Sequence, residues 1–203
     1  RVDHQDAFLD TNTLERNRGI TIFSKQAECT LGEFGITLLD TPGHVDFSAE
    51  MERTLQILDY AILVISGADG VQGHTETLWR LLSRYQIPVF LFINKMDQPG
   101  TDREALLAEV KEKLDANCVE FSADQTDEEW KEQVAVCDEQ VMEAYLEGEE
   151  ISREQIRQMI RERKLFPCYF GSALKMTGVE EFLDDLKLRI RGTSYPETFG
   201  AKI

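Results

Sequence analysis

The residues Asp40-Thr41-Pro42-Gly43-His44 combine a carboxylate, a glycine and an imidazole within five positions, directly after an apolar run. A carboxylate at a strand end can hold Mg²⁺ through water. A glycine close by lets a backbone N–H approach a phosphate with no Cβ in the way. An imidazole one residue on can orient or polarise a water for attack. A Pro-Gly pair alone would read as strand-end punctuation. All five residues in this setting read as chemistry.

A second polar loop, Asn94-Lys95-Met96-Asp97, also follows an apolar run. A carboxylate can accept both hydrogen bonds from the N1–H and 2-amino group of guanine, a donor pair that adenine lacks. The asparagine can reach the other base edge, and the lysine stem can lie over the ring. Alone, the same four residues would also serve as a polar turn before a helix. A third loop, Gly171-Ser172-Ala173-Leu174, could turn backbone N–H groups towards the guanine O6 or be a plain turn. Upstream, Glu15-Arg16-Asn17-Arg18-Gly19-Ile20-Thr21-Ile22 offers the Thr21 hydroxyl to Mg²⁺, while Arg16 and Arg18 also read as surface charge.

Such loops need a scaffold that ends its strands on one side, and the chain alternates apolar strands with amphipathic helices. Residues 35–40 read as a short strand, followed by a helix with Phe47, Met51, Leu55 and Leu58 on one face. Residues 61–65 are apolar throughout, as a strand covered on both faces should be. A helix with Leu78, Leu81, Leu82 and Tyr85 follows, then a strand at 88–93 and a helix with Leu106, Leu107, Val110 and Leu114. Three such units imply a parallel sheet with right-handed crossovers. In open sheets of this kind, ligands bind beyond the carboxyl ends of the strands, where these loops stand.

From about residue 117 to 165 the pattern becomes helical and charged, without an evident strand. Val134, Cys137, Val141 and Tyr145 form one stripe and Ile156, Met159 and Ile160 a shorter one. This stretch reads as a helical insertion. The rhythm resumes with a strand at 166–170 and a helix bearing Val179, Phe182, Leu183 and Leu186. A nucleotide-type domain is thus expected over residues 1–192. Tyr195-Pro196-Glu197 reads as a linker, and residues 198–203 as the first strand of a further domain.

The 203 residues carry a net charge of −16. A free-standing nucleic-acid binder usually shows a basic patch, and none is visible here. No apolar run approaches the roughly 20 residues of a membrane span, and no membrane partner is expected. The cysteines, Cys29, Cys118, Cys137 and Cys168, lack C-x-x-C spacing. They read as small buried side chains of a protein in the reducing cytoplasm. The start at Arg1, without a leader or an initiating methionine, is expected to be a cut within a longer protein.

The ordered set R-G-I-T (18–21), D-T-P-G-H (40–44), N-K-M-D (94–97) and G-S-A (171–173) resembles the G domain of translational GTPases. With Val45-Asp46-Phe47, Glu52-Arg53 and Asp59, it looks like elongation factor G and the ribosomal-protection tetracycline resistance proteins. The interval of 75 positions from Asp97 to Ser172 resembles the shorter insertion of the resistance proteins. The resemblance implies an α/β fold: a P-loop-NTPase-like G domain with a mostly parallel sheet and a short helical insertion. It implies GTP or GDP with Mg²⁺ as ligands and the ribosome as partner. Thr21 would sense Mg²⁺ and the γ-phosphate, and Asp40 would hold Mg²⁺ through water. Thr41, Pro42 and Gly43 would line the phosphate, with the Gly43 N–H donating to it. His44 would be the residue that the ribosome aligns for hydrolysis. Asn94, Lys95 and Asp97 would hold the base, with Ser172 and Ala173 behind it.

The family's G-x-x-x-x-G-K-[ST] loop has no match in this sequence. That loop supplies most phosphate-binding N–H groups, a lysine and a Mg²⁺ hydroxyl. The chain is therefore expected to be truncated at its N-terminus, inactive by itself, and able to self-associate through exposed sheet edges. A non-catalytic interaction module that keeps the fold is the rival expectation. Translocation and protection from tetracycline are separated, in the family, by later domains.

Overall fold

The computed structural model describes residues 25–41, 48–122 and 127–192. Its first element is an antiparallel hairpin of β1 (Lys25–Leu31) and β2 (Phe34–Asp40), registered from Lys25↔Asp40 to Leu31↔Phe34. Helix α1 (Ser48–Leu55) leads to β3 (Ala61–Ser66), α2 (Gly73–Arg84), β4 (Val89–Asn94) and α3 (Arg103–Lys113). Then come β5 (Cys118–Glu120), α4 (Glu128–Ala135), α5 (Glu139–Leu146), α6 (Arg153–Arg161), β6 (Phe166–Phe170) and α7 (Val179–Arg189). A parallel sheet has the order β3-β4-β6-β5. The α/β class and the parallel sheet expected from the sequence are present.

Strand β4 shows why an unbroken apolar run is required. Val89, Leu91 and Ile93 enter the layer made by Trp79 and Leu82 of α2 and Leu106 and Val110 of α3. Phe90 and Phe92 enter the opposite layer, with Phe182 and Leu186 of α7 and Ile156 and Ile160 of α6. Five of its six residues are buried, so a polar side chain at any of them would lose water on either face.

Strand β3 departs from the expectation that it is covered on both faces. Leu63 and Ile65 are buried, but Ile62 and Val64 are 38% and 58% exposed. Helix α7 sets its Phe182 ring against Phe92 of the neighbouring strand, at 5.4 Å between centroids, and leaves the outer face of β3 in solvent. Among the described residues β3 is an edge, and β2 pairs with β1 alone. A cleft of about 670 Å³ separates β2 from β3, lined by Leu38, Leu39, Ile62 and Leu63 among others.

The stretch after α3 corrects the sequence reading twice. It contains a strand, β5, which pairs with β6 in the register Cys118↔Phe166 to Glu120↔Cys168. Three residues are too few for an alternation to show. The stripe through Val134, Cys137, Val141 and Tyr145 is two helices, because Asp138 stops the ladder. Its carboxylate accepts the Gln140 and Val141 N–H groups at 2.9 and 3.2 Å and the Lys164 ammonium at 2.6 Å. The Lys164 hydrogen bond, first among several, holds that carboxyl below the usual carboxylate range. Its stabilisation is present above the ordinary carboxylate pKa and is lost as the pH falls through the lower folded value.

Smaller differences follow. Helix α1 ends at Leu55, so Leu58 packs on the core from the turn beyond it, and Tyr85 is the C-cap of α2. Cys29 is exposed on β1, contrary to the expected burial, whereas Cys118, Cys137 and Cys168 are buried. Burial pushes the Cys137 thiol up to about 12. Phe47, the linker and the strand expected at 198–203 lie outside the described residues.

Candidate functional site

A parallel sheet delivers its strand ends to one edge, and three loops meet there. Asn94, the last residue of β4, links two of them. Its Oδ1 accepts the Lys95 N–H at 2.8 Å and the Ala173 N–H at 2.9 Å, across 79 positions of sequence. Two donors on one amide oxygen settle which atom is oxygen and leave the Nδ2 hydrogens for a ligand. Lys95 has φ +63, a left-handed conformation that turns the chain out of the strand. The Met96 N–H then donates to Gly171 O at 3.0 Å, and the Gly67 N–H, after β3, donates to Asn94 O at 2.7 Å.

Ser172 is 2% exposed and spends every group it has. Its N–H donates to Thr177 O at 2.9 Å and its carbonyl accepts from Thr177 N at 3.1 Å. Its hydroxyl oxygen accepts the Lys175 N–H at 3.3 Å, and the hydroxyl proton goes to the Asp97 carboxylate. That hydrogen bond is the largest influence holding the Asp97 carboxyl below its ordinary value; the residue's own backbone N–H and the Lys175 charge add to it. The Asp97 side chain is 18% exposed and opens to solvent at the mouth of the loops. The site is therefore a preformed carboxylate acceptor with an amide donor beside it, on two cross-braced loops.

Gly171 lets the two loops close. A Cβ there would lie 2.3 Å from Thr177 O and 2.9 Å from Phe92 Cζ, neither of which can give way without moving the loop or the core. Gly171→Ala is expected to cost about 1–3 kcal/mol, the usual range for an overpacked site. Urea denaturation checks it; an unchanged midpoint would mean that the loop relaxes freely.

Asn94, Lys95, Asp97, Ser172 and Ala173 are thus brought together as the sequence led one to expect. Asp40 ends β2, and Thr41 borders the cleft between β2 and β3. Thr21, Pro42, Gly43 and His44 lie outside the described residues. The Asp40 carboxylate is a hard oxygen ligand suited to Mg²⁺. Sequence reasoning missed Lys175, 3.7 Å from Asp97, because no periodicity marks a lysine in a turn. It also missed Ser66, whose hydroxyl is buried without a hydrogen-bond partner among the described residues. Ser66 borders a cleft of about 400 Å³ shared with Asp69, His74, Asn94 and Lys95.

The family model for the elongation factor Tu GTP-binding domain matches residues 1–191. This chain belongs to that family. The chain is 38% identical over 189 residues to tetracycline resistance protein TetW of Butyrivibrio fibrisolvens, covering 86% of this chain and 30% of the relative. It is 34% identical over 225 residues to elongation factor G of Ureaplasma urealyticum serovar 10, covering 88% of this chain and 33% of the relative. The chain spans about a third of the length of these relatives. A crystal structure of a Thermus thermophilus protein shares the fold, with a TM-score of 0.81 and 21% identity over 94% of this chain and 35% of that one. Among the described residues no helix is long and apolar enough to cross a membrane.

Proposed function

We propose that, within the full-length protein, this domain binds GTP and GDP with Mg²⁺ and that the full-length protein hydrolyses GTP on the ribosome, as an elongation-factor-G-like or tetracycline-protection factor of the cytoplasm. The observation that carries the reading is the double acceptance by Asn94 Oδ1, which joins the Asn94–Asp97 and Ser172–Ala173 loops before any base arrives. Pre-organised acceptors need little reordering on binding. Thr21, Asp40, Gly43 and His44 take the roles that the family resemblance gives them. Thr21 and Asp40 would hold the Mg²⁺, which supplies charge neutralisation at the phosphates. The orphaned Ser66 hydroxyl supports a polar occupant of the neighbouring cleft. The exposed edge of β3, with Ile62 and Val64, supports self-association of the chain on its own.

The rival reading, an interaction module without nucleotide, is favoured by one observation: no G-x-x-x-x-G-K-[ST] loop occurs in these 203 residues. Titration calorimetry separates the two. The full-length protein should bind GDP and discriminate strongly against ADP; equal binding of both would sink the guanine reading. The chain alone should bind GDP at least about a thousandfold more weakly, since two or more charge-assisted hydrogen bonds of roughly 1.5–3 kcal/mol each are missing. A dissociation constant below about a micromolar for the chain alone would show that base contacts carry far more than this.

A further inference from the structure

The loop that carries Ser172 also carries a cation. Lys175 is fixed at its backbone, where its N–H donates to Ser172 Oγ at 3.3 Å and to Ser172 O at 3.2 Å. The following residue, Met176, takes φ +59, which turns the chain back so that Thr177 pairs with Ser172. This geometry sets the Lys175 Nζ 3.7 Å from Asp97 Oδ2. That is an ion pair, longer than a normal hydrogen bond. A carboxylate offers about four acceptor positions. The Ser172 hydroxyl and the Asp97 N–H are two of the donors that hold it. On the guanine-site reading, its remaining capacity takes the two N–H donors of a guanine edge.

A base that docks there strips water from the carboxylate. A charge that loses its hydration is costly unless an opposite charge is close, and the attraction between the two grows as water leaves. Lys175 is itself 61% exposed, so in the free protein the pair contributes little. Its effect is concentrated in the bound state. We propose that Lys175 is the counter-ion of Asp97: it compensates the carboxylate when a guanine covers it and so sets the strength of guanine recognition without touching the base. This inference rests on the guanine-site reading above.

The test is a double-mutant cycle in the full-length protein, read by titration with GDP and with xanthosine diphosphate. Lys175→Met should weaken GDP binding about threefold to fivefold at low ionic strength, less at high salt. Lys175→Arg should stay within about twofold of the wild type, and Lys175→Glu should be weaker than Lys175→Met. In the Asp97→Asn background, where no charge needs compensation, Lys175→Met should change xanthosine diphosphate binding by less than about twofold. GDP binding by Lys175→Met equal to the wild type would overturn the proposal. So would an equal loss in both backgrounds, which is the pattern of a merely structural residue. If the wild type bound GDP no better than ADP, the guanine-site reading would fall, and the counter-ion role with it.

Discussion

In the full-length protein, His44→Ala is expected to leave GTP affinity within a few-fold and to lower ribosome-stimulated hydrolysis by about 10²- to 10⁴-fold, the worth of a positioned acid–base group. The split follows from where His44 stands in the chain. It is four residues beyond Asp40, the last residue of β2, and β2 is held by a seven-pair register with β1. The loop therefore starts from a fixed anchor. Asn94, Asp97 and Ser172, the groups proposed to hold the base, lie on other loops and would not feel the substitution. A stopped-flow or phosphate-release assay with and without ribosomes checks both halves. Normal stimulated turnover would remove His44 from the mechanism, and a large loss of GTP affinity would make it a binding residue instead.

Asp97→Asn should exchange the preferred nucleotide, from GTP towards xanthosine triphosphate. The Ser172 hydroxyl, whose oxygen accepts the Lys175 N–H, hydrogen-bonds to residue 97 and can donate its proton there. An asparagine there would meet that proton with Oδ1 and turn its Nδ2 hydrogens outward. Xanthine presents a carbonyl where guanine has its 2-amino group, so the donor is satisfied by xanthine and opposed by guanine. Sites built on buried hydrogen bonds reject a mispaired partner strongly, and a change of about a hundredfold or more in the preference ratio is expected. Competition of the two triphosphates for one labelled guanine nucleotide measures it. An unchanged ratio would show that residue 97 does not read the base.

The legible parts of this chain are those where one local rule acts alone. Val89–Asn94 had to be a doubly covered strand because no polar residue interrupts it before its end. The stripe of Ile156, Met159 and Ile160 is one uninterrupted helix, α6, with all three buried. The illegible parts are those where two rules compete. Val134 to Tyr145 keeps a helical period across Asp138, so the period alone could not show that the carboxylate ends one helix and begins another. Cys118–Glu120 becomes a strand only because β6 stands beside it. Ile62 and Val64 read as core from their types, yet burial is decided by what lies over them. At the site, Asn94, Asp97 and Ser172 were legible as polar residues of loops after apolar strands, whereas Lys175 became visible only from its place 3.7 Å from Asp97.

The chain has two tryptophans, and they stand in different layers. Trp79 packs edge-on to Phe166 at 4.7 Å, with the Arg163 guanidinium 5.1 Å from its ring, in the layer of α2 and α3. Trp130 packs against Phe121 at 5.2 Å and donates its indole N–H to Glu120 O at 3.1 Å, on the side of the helical insertion. Each indole is thus an optical gauge of its own half. A cation close to an indole and a hydrogen-bonded indole differ in emission, so single-tryptophan versions report separately on the sheet's two sides. If the insertion opens before the sheet does, the Trp130 signal moves first, and the order in which the halves of the domain come apart can be watched in one cuvette.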